Sequence, residues 1–154
     1  RITPVRAGGG SVKVELLDST GEIPSSELIE RVQTALDPVQ NQGEGVGLAP
    51  IGHTVTVAAP STKTIDLYAN ILADGDADTV KANAEAAARQ YLLELREAWE
   101  DEDAVVRYSG PMAALSGADG VVDVGNLLIS GGTSNISCDG VPVAGTFLIF
   151  PSEV

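Results

Sequence analysis

Thr64-Ile65-Asp66-Leu67-Tyr68-Ala69-Asn70-Ile71 alternates apolar and polar side chains without a break, and a helical repeat from about Ala77 to Ala98 follows it. Successive strand residues face opposite ways, so Ile65, Leu67, Ala69 and Ile71 share one face, with Asp66, Tyr68 and Asn70 on the other. In the helix, Val80, Ala84, Ala87, Ala88, Tyr91, Leu92 and Leu95 recur on one side. Most of these are alanines, which lets the helix approach a sheet closely. A strand delivering its chain into such a helix decides the architecture.

Towards the N-terminal side, Val12-Lys13-Val14-Glu15-Leu16 alternates in the same way, and Asp18-Ser19-Thr20-Gly21 is a turn. Pro24-Ser25-Ser26 supplies a helix start with a serine N-cap. Leu28, Ile29, Val32, Ala35 and Leu36 form the inner stripe of that helix, and Glu27, Glu30, Arg31 and Gln33 fill its other face. Asp37-Pro38 ends it, because the residue before proline avoids the α region. Residues 39–52 form a glycine-rich surface loop, expected to be pinned by Val46, Leu48 and Ile51. Thr54 to Ala59 is a further strand, and Pro60-Ser61-Thr62-Lys63 reads as a hairpin turn into the central one.

Beyond the long helix, Val105 to Tyr108 is a short strand and Met112 to Leu115 a short helix closed by Gly117. Val121 to Ile129 and Asn135 to Cys138 are extended, Asp139-Gly140 is a hairpin-type turn, and Thr146 to Phe150 is a last strand stopped by Pro151. The order predicts an α+β fold, with a mixed sheet packed against two main helices and a C-terminal strand-rich portion. Residues 1–11, ending in Gly8-Gly9-Gly10-Ser11, are expected to be a flexible lead-in from a missing N-terminal region, since the chain opens on Arg1 rather than Met. An α+β lobe is expected over 12–103, and a strand-rich lobe sharing its core over 104–154.

Composition narrows the function. Leu, Ile, Val and Phe make up 42 of the 154 residues, enough for a folded core. The net charge is −13, from 22 acidic and 9 basic residues. Nine cations scattered singly do not grip a phosphate backbone, and the net field repels nucleic acid and anionic membrane alike. No apolar run reaches transmembrane length, and no signal peptide is visible. One cysteine, Cys138, excludes an internal disulfide and a multi-thiolate metal site, and one histidine, His53, excludes His-rich sites. Cys138, between Ile136 and Val141, reads as a small buried hydrophobe.

The chemistry-bearing patterns are thin. Asp74, Asp76 and Asp78 with Glu85 have calcium-loop spacing, but Thr79 stands where the loop needs glycine and Lys81 where it needs an apolar residue. Capping of the following helix is the better reading, and a carboxylate-metal hydrolase on these aspartates is kept as the alternative. The glycines at 43, 45 and 47 are not followed by Lys-Ser or Lys-Thr, so they read as loop rather than phosphate cradle. His53 has no Ser or Cys motif beside it. A glycan-binding adhesin, the other alternative, would draw on exposed aromatics, and Trp99 with three tyrosines is a thin supply. No catalytic residue, cofactor or metal ligand is therefore assigned.

Two surfaces stand out instead. Residues 74–103 carry ten acids and three bases, and Glu97, Glu100, Asp101, Glu102 and Asp103 are candidates for docking a basic partner. The strands Leu127-Leu128-Ile129 and Phe147-Leu148-Ile149-Phe150 are apolar on both faces. They must be covered on both sides or lie against another chain, so Leu127, Ile129, Phe147, Ile149 and Phe150 are candidate interface residues.

Taken in order, these passages form a larger pattern. Val14-Glu15-Leu16-Leu17-Asp18, Pro24 to Leu28 and Leu36-Asp37-Pro38-Val39 precede Ala49-Pro50-Ile51-Gly52-His53-Thr54-Val55-Thr56-Val57-Ala58-Ala59-Pro60. The Ala-rich helix ends in Tyr91-Leu92. Val106-Arg107-Tyr108-Ser109, Gly120 to Val124, Asn135-Ile136 and Val141-Pro142-Val143-Ala144-Gly145 follow. Over about residues 5–148 this resembles the C-terminal part of the baseplate J-like proteins of contractile phage tails and related prophage particles. The run from Glu94 to Asp103 is longer and more acidic than usual for that family, and Gly110-Pro111 replaces an apolar start to the short helix. The resemblance implies a wedge protein of the virion tail baseplate, assembled in the bacterial cytoplasm, without catalytic residues. It further implies as partners other baseplate proteins, namely a smaller tail-formation wedge protein and further copies of itself.

Overall fold

The computed structural model describes residues 1–4 and 10–154. The fold is α+β with mixed sheets, and the chain divides into two compact units, Arg1–Pro60 and Ser61–Val154. The expected lobes 12–103 and 104–154 cut across this division. The strands that open and close the second unit, although about 80 residues apart, are neighbours in one sheet. The two main helices accordingly belong to different sheets.

In the first unit, β1 (Ile2–Pro4) pairs antiparallel with β2 (Ser11–Glu15), and β2 pairs in parallel with β3 (Thr54–Ala58). Of the lead-in expected over 1–11, residues 5–9 lie outside the described residues, while Ile2–Pro4 and Ser11 are strand. The parallel pair needs a crossover, and α1 (Ser26–Leu36) supplies it. Ser25 is its N-cap, its hydroxyl accepting from Leu28 N at 3.2 Å. Ile29, Val32 and Leu36 pack on Ala49, Val55 and Val57 with Val14 and Leu16.

Gln33 does not sit on the outer face of α1 as the helical pattern suggested. It is buried, one turn before the equally buried Asp37, and both reach the strand edge that β2 leaves unpaired. Gln33 Nε2 donates to the carbonyls of Asp37 (2.5 Å) and Val55 (2.9 Å), and Gln33 Oε1 accepts from Val57 N at 2.7 Å. Asp37 Oδ2 accepts from Val55 N at 2.8 Å and its Oδ1 from Gly43 N at 2.9 Å. Two side chains spaced i, i+4 thus stand in for a missing strand, satisfying main-chain groups that would be costly to bury bare.

The loop after α1 turns back on its C-terminus. A short 3-10 turn, Val39–Asn41, comes first. Leu48 N and Ala49 N then donate to the carbonyls of Ala35 and Leu36 at 3.0 and 2.8 Å, using acceptors a helix end leaves without partners. Gly47 lies so close to the Leu36 carbonyl that a Cβ would collide with it. The pinning is therefore by main chain, Asp37 and Ala49. Val46, Leu48 and Ile51, the expected anchors, stand exposed, the first two on either side of the close backbone approach at Gly47. No hairpin joins β3 to the next strand, whose partners all lie in the second unit.

That unit is built on β4 (Thr62–Ala73), flanked by β6 (Val121–Ile129) antiparallel and β8 (Val141–Glu153) in parallel. The alternation of β4 is as the sequence predicts: Ile65, Leu67, Ala69, Ile71 and Ala73 are buried. α2 (Ala77–Glu94) lies over β8, with Val80, Ala84, Ala88 and Leu92 as its buried stripe. The α-helix stops four residues short of Ala98. A run of i→i−3 bonds replaces it, from Arg96 N to Leu93 O (3.0 Å) through Trp99 N to Arg96 O (3.1 Å). The tighter winding turns Arg96 and Trp99 inward, and Arg96 Nε donates to the Pro142 carbonyl at 2.9 Å.

A two-residue pairing of β5 (Val105–Val106) with β7 (Ile136–Ser137) closes one end. Between β5 and β6, α3 (Ser109–Ser116) packs on α2, and Gly110 is the residue that allows it, since a Cβ there would enter the Tyr91 ring. Asp139-Gly140 is not a hairpin, because the strands on either side pair with different neighbours. Nor does Pro151 stop the last strand. β8 runs through it to Glu153 at the edge of the sheet, where a residue without an N–H is tolerated.

Candidate functional site

Asp74, Asp76 and Asp78, the aspartates of the metal alternative, are exposed around the start of α2. Asp76 is the N-cap of α2, its Oδ2 accepting from Thr79 N (2.9 Å) and from the Thr79 hydroxyl (2.6 Å). Both hydrogen bonds favour the ionised form, the hydroxyl the more, and hold its pKa below the ordinary 3.8. The carboxylate read as a ligand is therefore a cap. Among the described residues no three His, Cys, Asp or Glu side chains gather as metal ligands would.

The linkage has a definite sign. A carboxylate with a depressed folded-state pKa contributes stability at pH values above its unfolded pKa, and that contribution is lost as pH falls through the folded one. Asp76→Ala is thus expected to lower Tm at pH 7, with the difference from wild type shrinking below about pH 4. Asp76→Asn, a good N-cap without charge, should keep most of the Tm. Thermal melts followed by circular dichroism at pH 7 and pH 3 check both.

Cys138 is buried in the main core, its Sγ 3.9 Å from the Ile136 carbonyl. Burial pushes its thiol pKa up, outweighing a backbone hydrogen bond and the nearby Lys63 charge. A thiol short of thiolate is a poor nucleophile. The expected result is that a disulfide reagent at pH 8 labels native protein only at the rate of unfolding, and denatured protein at once. Prompt native labelling would contradict the burial.

Trp99 is buried and not offered for sugar stacking. His53 is exposed in a turn where its N–H meets the Pro50 carbonyl at 3.1 Å.

The acidic candidates are brought together. Glu97, Glu100, Asp101, Glu102 and Asp103 are all exposed on the turns that follow α2, opposite the inward Arg96 and Trp99. The apolar candidates are not. Leu127, Ile129, Phe147 and Ile149 face the core of their own unit, and the Arg89 guanidinium covers the Phe147 ring, 4.8 Å from its centroid. Only Phe150 of that set is outside, half exposed.

The apolar residues left open are the alternate ones. In register across the sheet stand Leu128, Tyr68 and Leu148, with Phe150 beside them and its ring 5.4 Å from that of Tyr68. Leu148 and Phe150 are 49% and 50% exposed. Which residues of these strands face outward follows from the register that β4 imposes on its neighbours.

Comparison with known proteins gives these surfaces a context. Residues 1–59 match the model of the baseplate J-like central domain, and residues 65–147 that of the baseplate J-like protein C-terminal domain. The chain belongs to the baseplate J-like family. The two matches bracket the Pro60/Ser61 division between the structural units. This baseplate J-like chain is also 30% identical over 145 residues to the phage-like element PBSX protein XkdT of Bacillus subtilis (strain 168). It is equally similar to the uncharacterized protein YqbT of the same strain. Each match covers 93% of this chain and 40% of the relative, so the chain spans about two-fifths of the length of the proteins it resembles.

Proposed function

We propose that this chain is a structural part of a phage or prophage tail baseplate, acting through protein–protein assembly and without catalysis. The observation that carries the reading is the succession of two baseplate J-like matches along the chain, divided where its two units divide. The relative's printed name, a protein of a phage-like element, supports a particle component. The geometry is of a kind with this. Asp76 caps α2, and the acids that follow that helix stand on an exposed run of turns.

Within that role, the chain serves as a wedge protein meeting a smaller tail-formation protein and further copies of itself. The five exposed acids after α2 are its docking surface for a basic partner. Immunogold labelling of particles induced from the encoding host is the direct test. Label is expected at the tail end away from the head, and label along the whole tail, or none, overturns the reading. Charge reversal at Glu97, Glu100 and Glu102 should abolish pull-down of the tail-formation protein while the chain stays folded. Unchanged binding would remove the acidic turns from the interface.

A further inference from the structure

The open face of the second sheet has a pattern of its own. Reading across paired positions, its rows are Leu128–Tyr68–Leu148, then Gly125–Asn70–Phe150, then Asp123–Leu72–Ser152. On the far side of the first row Asp66 is exposed, its Oδ1 accepting from Thr146 N at 2.8 Å. Asp123 is likewise exposed, its Oδ1 accepting from the Val124 N–H at 2.9 Å. Asp66 and the Asp123 row are six positions apart along β4, about 20 Å at the usual strand rise. None of these positions carries Lys or Arg. At the Asp66 end of this face lies a hollow of about 250 Å³, lined by Tyr68, Leu128, Thr146 and Leu148, with Asp66 on its rim.

An apolar centre with acids at both ends selects its occupant by charge. A second copy of this chain is a poor fit, since residues 61–154 carry 15 acids and 5 bases and residues 1–60 carry 7 and 4. We propose that this face docks a segment of a different protein that presents aliphatic or aromatic side chains between two basic residues. One apolar side chain fills the hollow, and a lysine or arginine meets Asp66. The inference rests on the assembly role proposed above and concerns a face separate from the acidic turns. Neutral contacts at the centre supply affinity, and the two carboxylates supply choice of partner.

The test uses the full chain, isotope-labelled for amide NMR, and two short peptides as probes. Both alternate leucine and threonine; one has lysine at each end, the other glutamate. The lysine peptide should shift the amides of Tyr68, Leu128, Leu148 and Phe150 and bind about tenfold or more tighter than its twin, a preference worth about 1.4 kcal/mol. Asp66→Asn with Asp123→Asn should remove the preference but keep residual binding. Leu148→Lys, or Phe150→Lys should the first variant fold poorly, should abolish binding. Equal binding of the twins, no binding of either, or shifts mapping elsewhere overturns the proposal. So does a dimer in sedimentation velocity that Leu148→Lys dissociates, which would make a second copy the occupant. These readouts come from the isolated chain, so their failure leaves the particle-labelling result to decide the baseplate role by itself.

Discussion

Asp37→Ala should be the most damaging single change in the first unit, lowering its stability by about 3–4 kcal/mol. The carboxylate is 1% exposed and holds two main-chain donors, Gly43 N and Val55 N, with one oxygen each. Hydrogen bonds to a charged group contribute about 1.5–3 kcal/mol apiece, and truncation leaves the Val55 N–H buried without an acceptor. Asn at this position keeps one oxygen but turns an NH2 group towards the other donor, so Asp37→Asn should fall between wild type and Ala. Urea unfolding gives the magnitudes, and amide exchange gives the location. Protection should fall on α1, β3 and the loop between them and persist on β4, since the two units have separate cores. A loss under about 1 kcal/mol would mean that the edge does not depend on this side chain.

The second large effect separates two adjacent residues. Ile149→Ala should cost about 3–4 kcal/mol, since it opens a cavity in the core beneath α2. Leu148→Ala, one position earlier on the same strand but on the open face, should change stability by less than about 1 kcal/mol. If Ile149 were an interface residue instead, its removal would weaken assembly and leave the fold intact. Equilibrium denaturation of both variants decides between these outcomes. Equal losses would mean that β8 is not in the register described.

The helices and the central strand were legible because their signals are local. Ser25, Asp76 and Gly117 mark helix ends by their own chemistry, and the repeat from Ile65 to Ile71 needs no partner to be read. Partnership was not legible. Pro60 to Lys63 and Asp139-Gly140 have turn composition, yet each joins strands that pair elsewhere, and no local feature of the sequence says so. Gln33 was misplaced for a related reason. A helical wheel ranks it by polarity, whereas its burial follows from the hydrogen-bonding demand of a strand edge some 22 residues away. The same limit explains the apolar candidates. Phe147 to Phe150 announced that both faces matter, but which residues point outward depends on a bulge between Ile65 and Leu67 opposite Gly145 and Thr146.

The pairing of β4 with β8 also bears on how the polypeptide is made. The middle strand of the second sheet leaves the ribosome some 80 residues before its parallel neighbour. Until residue 153 or so has emerged, Ile65, Leu67 and Ile71 lack one wall of their shelter. During that interval the nascent chain displays a long sticky ribbon, the circumstance in which holding chaperones matter most. Synthesis interrupted anywhere between β6 and β8 would release this unit unable to close.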